Sequence, residues 1–267
     1  MLIPPEIDPV AFRAGPLQVH WYGIMYVIGF LLAWWLARRR AAKPGSGWGA
    51  QDVDDLIFWA MVGVIVGGRL GYVFFYGLSF WAEDPLYPVR IWQGGMSFHG
   101  ALIGVLAALA LFAWRRGRHP LDVMDFTAPI VGLGIMAGRI GNFINGELWG
   151  RVTDVPWAFA VPTAPGGPVV GRHPSQLYEA LLEGLVMFVL LWWFSSRPRP
   201  RGAVIGLGLL WYGLVRLGIE FVREPDAHIG YLFGGWMTRG QELSMPMLIA
   251  GLVLLVLAYR RKGTARA

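Results

Sequence analysis

Arg69, His99, Arg139, Asn142, Glu179, Glu183, Tyr212, Arg216 and Glu220 fall inside or at the edge of long apolar runs. His20 and Tyr22 stand near the start of the first run, and Arg223 just past the end of the sixth. An ionisable group is costly to hold in such a run, so each is a candidate site residue. Spacing groups them: Arg139 and Asn142 are one helical turn apart, Glu179 and Glu183 share a helix face, and Tyr212, Arg216, Glu220 and Arg223 form a continuous stripe. Arginines in this setting suit a phosphate-bearing group, because the planar guanidinium pairs with two phosphate oxygens and stays charged at low dielectric. Histidine titrates nearest to neutral pH, so His99 is suited to take a proton. The same residues also fit a purely structural part. Glu220 would pair with Arg216 or Arg223, since buried charges need partners, and His99 would bond a backbone carbonyl.

Other chemistries are excluded. The chain has no cysteine, so it offers no thiol nucleophile, disulfide or cysteine-held metal. The five histidines show no i, i+4 zinc pairing, and neither a phosphate-binding Walker loop nor a dinucleotide fingerprint occurs. Gly95-Met96-Ser97-Phe98-His99 approaches the hydrolase nucleophile elbow but has His where that motif needs Gly, so Ser97 reads as structural.

The elements that must position these residues follow from composition. Apolar residues make up 55% of the 267 and charged residues 15%, against about 25% charged in a soluble domain. That excludes disorder, a nucleic-acid-binding tail and an ordinary soluble enzyme. A helix needs about 20 apolar residues to cross a bilayer. Residues 17–37, 53–76, 96–114, 123–137, 177–194, 203–222 and 243–259 meet or approach this. The expected fold is therefore all-α: a polytopic integral membrane bundle of about seven transmembrane helices in a single domain, 1–267. The first span lacks the basic start and small-residue site of a cleavable signal.

Most of the 23 basic residues lie in four clusters: Arg38, Arg39, Arg40 and Lys43; Arg115, Arg116 and Arg118; Arg197, Arg199 and Arg201; Arg260, Arg261, Lys262 and Arg266. With seven alternating spans all four fall on one side, which the positive-inside rule makes cytoplasmic. The N-terminus is then outside and the C-terminus inside. On that topology nearly every polar candidate lies in the outer half. Asp54, Asp55, Asp122 and Asp125 at the inner end read as solvated helix-start acids that suit the helix dipole. A transporter needs polar access from both faces, so a pocket open to one face favours an enzyme or receptor acting on the outer leaflet. Gly63, Gly67 and Gly71, and Gly134 and Gly138, have the four-residue spacing of close helix packing.

Residues 138–150, Gly138-Arg139-Ile140-Gly141-Asn142-Phe143-Ile144-Asn145-Gly146-Glu147-Leu148-Trp149-Gly150, are too rich in glycine and polar groups for a lipid-facing helix and read as a re-entrant or interfacial site loop. This stretch resembles the signature of the prolipoprotein diacylglyceryl transferases, bacterial inner-membrane enzymes. Five further blocks resemble that family in the same order: His20-Trp21-Tyr22-Gly23, Gly94 to Gly100, Arg172 to Glu179, Arg223-Glu224-Pro225-Asp226 and Gly240 to Pro246. Ala101, where the family often has a second glycine, and a short 151–171 segment depart from it.

The resemblance implies transfer of the diacylglyceryl group of phosphatidylglycerol to the thiol of the lipobox cysteine of a preprolipoprotein, with glycerol phosphate released. It implies the bacterial inner membrane, periplasmic segments near 77–95, 139–175 and 224–241, and an active site toward the periplasmic face. Physics and likeness together nominate His99, Arg139, Arg223 and Tyr22 as catalytic. They nominate Arg139, Asn142, Glu147, Arg223 and Glu220 as the phosphatidylglycerol site, with Glu220 positioning Arg223. The expected partners are phosphatidylglycerol, preprolipoprotein signal peptides and the bilayer, without nucleic acid. A direct displacement of this kind needs no metal or cofactor. A flippase, or a receptor that binds signal peptides without chemistry, are the rivals.

Overall fold

In a computed structural model the chain is mostly helical. The structure describes residues 1–15, 17–164, 166–224, 231–232 and 237–264. A hairpin of β1 (Val10–Ala14) and β2 (Leu17–His20) leads into α1 (Trp21–Ala41). There follow α2 (Ala50–Tyr76), the short α3 (Leu78–Glu83), two single 3₁₀ turns at Tyr87–Val89 and Ile91–Gln93, α4 (Phe98–Arg115) and α5 (Pro120–Ile144). A second hairpin pairs β3 (Phe159–Pro162) with β4 (Val169–Arg172). Then come α6 (Ser175–Glu179), a π-helical segment (Ala180–Val186), α7 (Met187–Phe194), α8 (Ala203–Ile219), the β5 (Tyr231–Leu232) and β6 (Met237–Thr238) pair, and α9 (Arg239–Thr264).

Among the described residues six helices are long and apolar enough to cross a membrane: α1, α2, α4, α5, the continuous Ser175–Phe194 stretch, and Gly240–Arg260 within α9. At 1.5 Å per residue α2 is about 40 Å long. The expected crossing at 203–222 is instead a 17-residue helix, α8, about 25 Å long. It ends at Ile219 because the backbone tightens there, Phe221 N donating to Gly218 O at 3.3 Å. Among the described residues, three two-stranded ribbons, none of them part of a closed sheet, correct the expectation of helices alone.

The chain divides into two compact units, Trp34–Phe126 and the remainder, Met1–Ala33 with Thr127–Ala267. In the first, α2 and α4 meet along a glycine seam. A Cβ on Gly63 would stand 2.6 Å from Gly104 O, and one on Gly71 2.6 Å from Gly100 Cα. The backbones therefore touch, as the Gly63, Gly67, Gly71 spacing predicts. Ser97 caps α4, its hydroxyl accepting Gly100 N–H at 3.2 Å, and is structural as expected. The helix-start acids are not simply solvated. Asp54 takes Trp34 Nε1–H at 2.7 Å and pairs with Arg38, Asp52 pairs with Arg118 at 2.7 Å, and Asp55 pairs with Arg116. The fold brings the basic ends of α1 and α4 to the start of α2, and charge attraction does the rest.

The second unit has a core of Ala128, Met187, Leu191 and Val204, with Trp211 packed on it. Trp211 Nε1–H donates to Leu182 O of the π-helical segment at 2.9 Å. Gly132 and Gly184 supply the close approach in this unit: a Cβ on Gly132 would lie 2.6 Å from Gly184 O. The Gly134 and Gly138 pair does not, since a Cβ on either meets nothing within 4 Å among the described residues.

Candidate active site

Six charged side chains of the second unit converge. Arg139 comes from α5, Glu179 from the end of α6, Glu183 from the π-helical segment, and Arg216, Glu220 and Arg223 from α8 and the turn after it. Glu179 is the hub. Its carboxylate lies 3.0 Å from Arg139 Nε, 2.6 Å from Arg216 Nη1 and 3.8 Å from Arg223 Nε. Glu183 lies 3.5 Å from Arg216 and 3.9 Å from Arg139. Glu220 lies 3.4 Å from Arg216 and 3.8 Å from Arg223. Burial sorts them by sign. Glu179 and Glu183 are 1% and 0% exposed, while the side chain of Arg139 keeps 21%. The carboxylates form a floor and the guanidiniums lie above it. The internal pairing weighed from sequence is thus real, and it touches Arg139 and Arg223 as well as Arg216.

Buried charges survive only where they are paired, and the local sequence is built to pair them. A Cβ on Gly240 would fall 2.6 Å from the Glu220 carboxyl, so glycine lets the start of α9 lie against that acid, where a helix N-terminus favours negative charge. Arg223 is fixed through its backbone. Gly150 bridges Arg223 and Val152 bridges Arg172, Arg151 N–H donates to Val222 O at 2.8 Å, and Arg151 Nε–H donates to Arg223 O at 2.9 Å. His173, at this ribbon, contacts Tyr178 Oη at 3.2 Å; burial pushes its imidazole below the ordinary histidine range.

Residues 138–150 correct one expectation. The stretch is not a loop throughout: α5 runs on to Ile144, carrying Arg139 and Asn142. Gly141 is there for contact, since a Cβ would stand 2.9 Å from the Tyr22 ring. Irregular backbone begins at Gly146 (φ 68°), and Leu148 holds φ 60°, a conformation rare for a branched residue. Ser175 Oγ–H to Leu148 O at 2.7 Å and Gln176 Nε2–H to Glu147 O at 2.5 Å hold that loop. Asn142 and Asn145 both donate side-chain N–H to Glu147 Oε1, at 2.9 and 3.2 Å. Glu147 is exposed and Asn142 buried. Tyr22 Oη lies 3.3 Å from Tyr26 Oη and feels the charges of Arg139 and Glu147.

The structure therefore brings together Arg139, Asn142, Glu147, Glu220, Arg223 and Tyr22. His99 belongs to the other unit, exposed on the first turn of α4 with its ring edge-on to Phe98 at 5.7 Å; the packing-histidine alternative does not describe it. Pro225 and Asp226 lie outside the described residues. Of the residues that brace the site, sequence reasoning picked out Glu179, Glu183 and Arg216 as candidates without giving them a part in the phosphatidylglycerol site, and it left out Arg151, Ser175 and Gln176. The first three were visible as charges in apolar spans. The others look like ordinary loop and helix-start residues.

Known proteins resemble this chain in sequence along most of its length. The sequence profile described as prolipoprotein diacylglyceryl transferase matches residues 9–257. A phosphatidylglycerol–prolipoprotein diacylglyceryl transferase of Pseudoalteromonas translucida is 58% identical over 257 residues, 96% of this chain and 95% of its own. Proteins of the same name from Nitratidesulfovibrio vulgaris and Coxiella burnetii are 56% identical over 265 residues and 57% over 262. The alignments cover 99% of this chain and 98% of the first, and 98% of this chain and 99% of the second. With such likeness along almost its whole length, the chain belongs to the prolipoprotein diacylglyceryl transferase family.

Proposed function

We propose that this chain transfers the diacylglyceryl group of phosphatidylglycerol to the thiol of the lipobox cysteine in preprolipoproteins, releasing glycerol phosphate, as the first step of lipoprotein maturation. Family membership supports the reaction. The observation that carries the site is the shared brace: Glu179 touches the guanidiniums of both Arg139 and Arg223, so the two forks converge and can clamp one phosphate.

The reaction is displacement at an sp³ carbon. The cysteine sulfur forms the S–C bond, the C–O bond to phosphate breaks, and its electron pair leaves on the phosphate oxygen. Arg139 and Arg223 stabilise that departing charge. Glu220 and Glu179 position them. Asn142 and Glu147 hydrogen-bond the glycerol part, and Tyr22 orients the lipid beside them. His99 takes the thiol proton, since the thiolate is the effective nucleophile. No cofactor is called for, because thiol and phosphate leaving group both come with the substrates.

The proposed setting is a single transmembrane domain in the bacterial inner membrane, with α8 as a seventh crossing. The N-terminus is periplasmic and the C-terminus cytoplasmic. The segments near 77–95, 139–175 and 224–241 and the active site face the periplasm. The basic clusters at the ends of α1 and α4 support this orientation.

Mass spectrometry is the test. Protein in detergent with phosphatidylglycerol and a lipobox peptide should yield the diacylglyceryl thioether. Arg139→Ala and Arg223→Ala should each lose about a hundredfold or more in rate, the scale of removing a preorganised charge-stabilising group. Normal rates for Arg139→Ala would disprove the phosphate site.

A further inference from the structure

We infer that Arg69 is a positioning residue for this reaction, holding the segment that sets the first turn of α4 and thereby His99. The inference rests on the reading of His99 as the base. Arg69 is 2% exposed, yet its guanidinium is held by carbonyl oxygens. Nε donates to Pro88 O at 3.1 Å, Nη2 to Tyr87 O at 2.6 Å, and Nη1 to Gly94 O at 2.5 Å and Gly95 O at 3.2 Å. The guanidinium also stacks 4.6 Å from the Tyr87 ring. One buried cation thus gathers both ends of the 87–95 segment, and four carbonyls satisfy it, with no carboxylate paired to it among the described residues.

That segment opens directly onto His99. Gly94 and Gly95 have φ of 79° and 80°, a backbone reversal open to glycine and strained for other residues. They aim their carbonyls at Arg69 and hand the chain to Ser97, whose N–H donates to Gly68 O, the neighbour of Arg69, at 2.8 Å. Ser97 then caps the turn that carries His99. The start of α4 is therefore pinned to one point of α2 by the guanidinium, the Gly68 carbonyl and the glycine seam. An exposed histidine with no buried packing of its own takes its position from that backbone. Lysine could not replace the fork, because one ammonium cannot meet carbonyls spread around a planar guanidinium.

The test uses the pH dependence of turnover. A thiol ionises unaided above its ordinary pKa of about 8.5, so a misplaced base matters at pH 7 and ceases to matter near pH 9.5. Arg69→Lys should lower kcat about tenfold to a hundredfold at pH 7, as misplacement of a catalytic group does. Its KM for phosphatidylglycerol should stay within about threefold of the parent, and the kcat deficit should close to about twofold near pH 9.5. His99→Asn should show the same closure. If the Arg69→Lys deficit is equal at both pH values while that of His99→Asn closes, Arg69 only braces the fold and the inference is overturned. If His99→Asn shows no deficit, or one that persists at high pH, the base assignment fails first and takes this inference with it. Should Arg69→Lys not fold in detergent, Gly94→Ala gives the same reading. It has open space around its Cβ, so it perturbs only the backbone turn, and its deficit must close with pH as well.

Discussion

Glu179 has more charged partners in the cluster than either arginine chosen from the sequence. It reaches three guanidiniums, so removing its charge leaves the floor one negative charge short. Breaking a buried pair of this kind costs about 3 kcal/mol or more, a fall in melting temperature on the order of 10 °C. Glu179→Gln should therefore melt early in detergent and lose activity together. Glu147→Gln is the contrast: its carboxylate is exposed and, among the described residues, is bonded by neighbouring amides. Melting should stay within about 0.5 kcal/mol of the parent, as surface changes do, while turnover falls. A Glu179→Gln protein with parental melting and turnover would refute the hub. Arg139 and Arg223 could be singled out in the sequence, the first as a charge in an apolar span and the second as the end of a polar stripe. That Glu179 binds both was not legible there, because the contact joins residues from three elements and no local pattern encodes it.

Helix packing reads differently along the chain. The Gly63, Gly67, Gly71 spacing announced a close contact, and α2 and α4 make it. The Gly134, Gly138 spacing announced one too, and those positions open onto space. Periodicity shows that a face is smooth; only the partner helix decides whether the smoothness is used. Gly104→Leu should destabilise by about 1–3 kcal/mol through overpacking, since its Cβ would stand 2.8 Å from Gly67 Cα. Gly134→Ala should be neutral or gain about 1 kcal/mol from helix propensity. Thermal melting of both variants decides; equal losses would show that the seam is no tighter than the open face. The boundary of α5 was misread for a related reason. Gly138 and Gly141 look like loop residues, but Gly141 is a helical glycine needed for contact with Tyr22.

Six of the apolar helices were legible from composition, because long apolar runs leave few alternatives to helices able to cross a membrane. The 17-residue α8 was drawn too long, since its polar end reads as part of the run until Glu220 and Arg223 are seen to fold onto the floor. The hairpins were missed because each is only two to five residues per strand. Topology has a clean test, because the chain contains no cysteine. Single cysteines at Glu83 and Ser196 should label from opposite sides: the first with an impermeant maleimide on intact spheroplasts, the second only after permeabilisation. The reverse pattern would refute the orientation.

The acid floor has a last consequence, for how lipid is recruited. Three arginines set against three glutamates cancel as seen from a distance, so with all six ionised the cluster casts little far field. Preference for an anionic over a zwitterionic head group must then arise at contact, when the guanidinium forks meet phosphate oxygens. Such contacts are buried and weakly screened. Raising salt from about 0.05 to 0.5 M, which shrinks the Debye length to a few ångströms, should change KM for phosphatidylglycerol in neutral detergent less than about twofold. A steep salt dependence would mean that lipid is drawn in by charge outside the cluster.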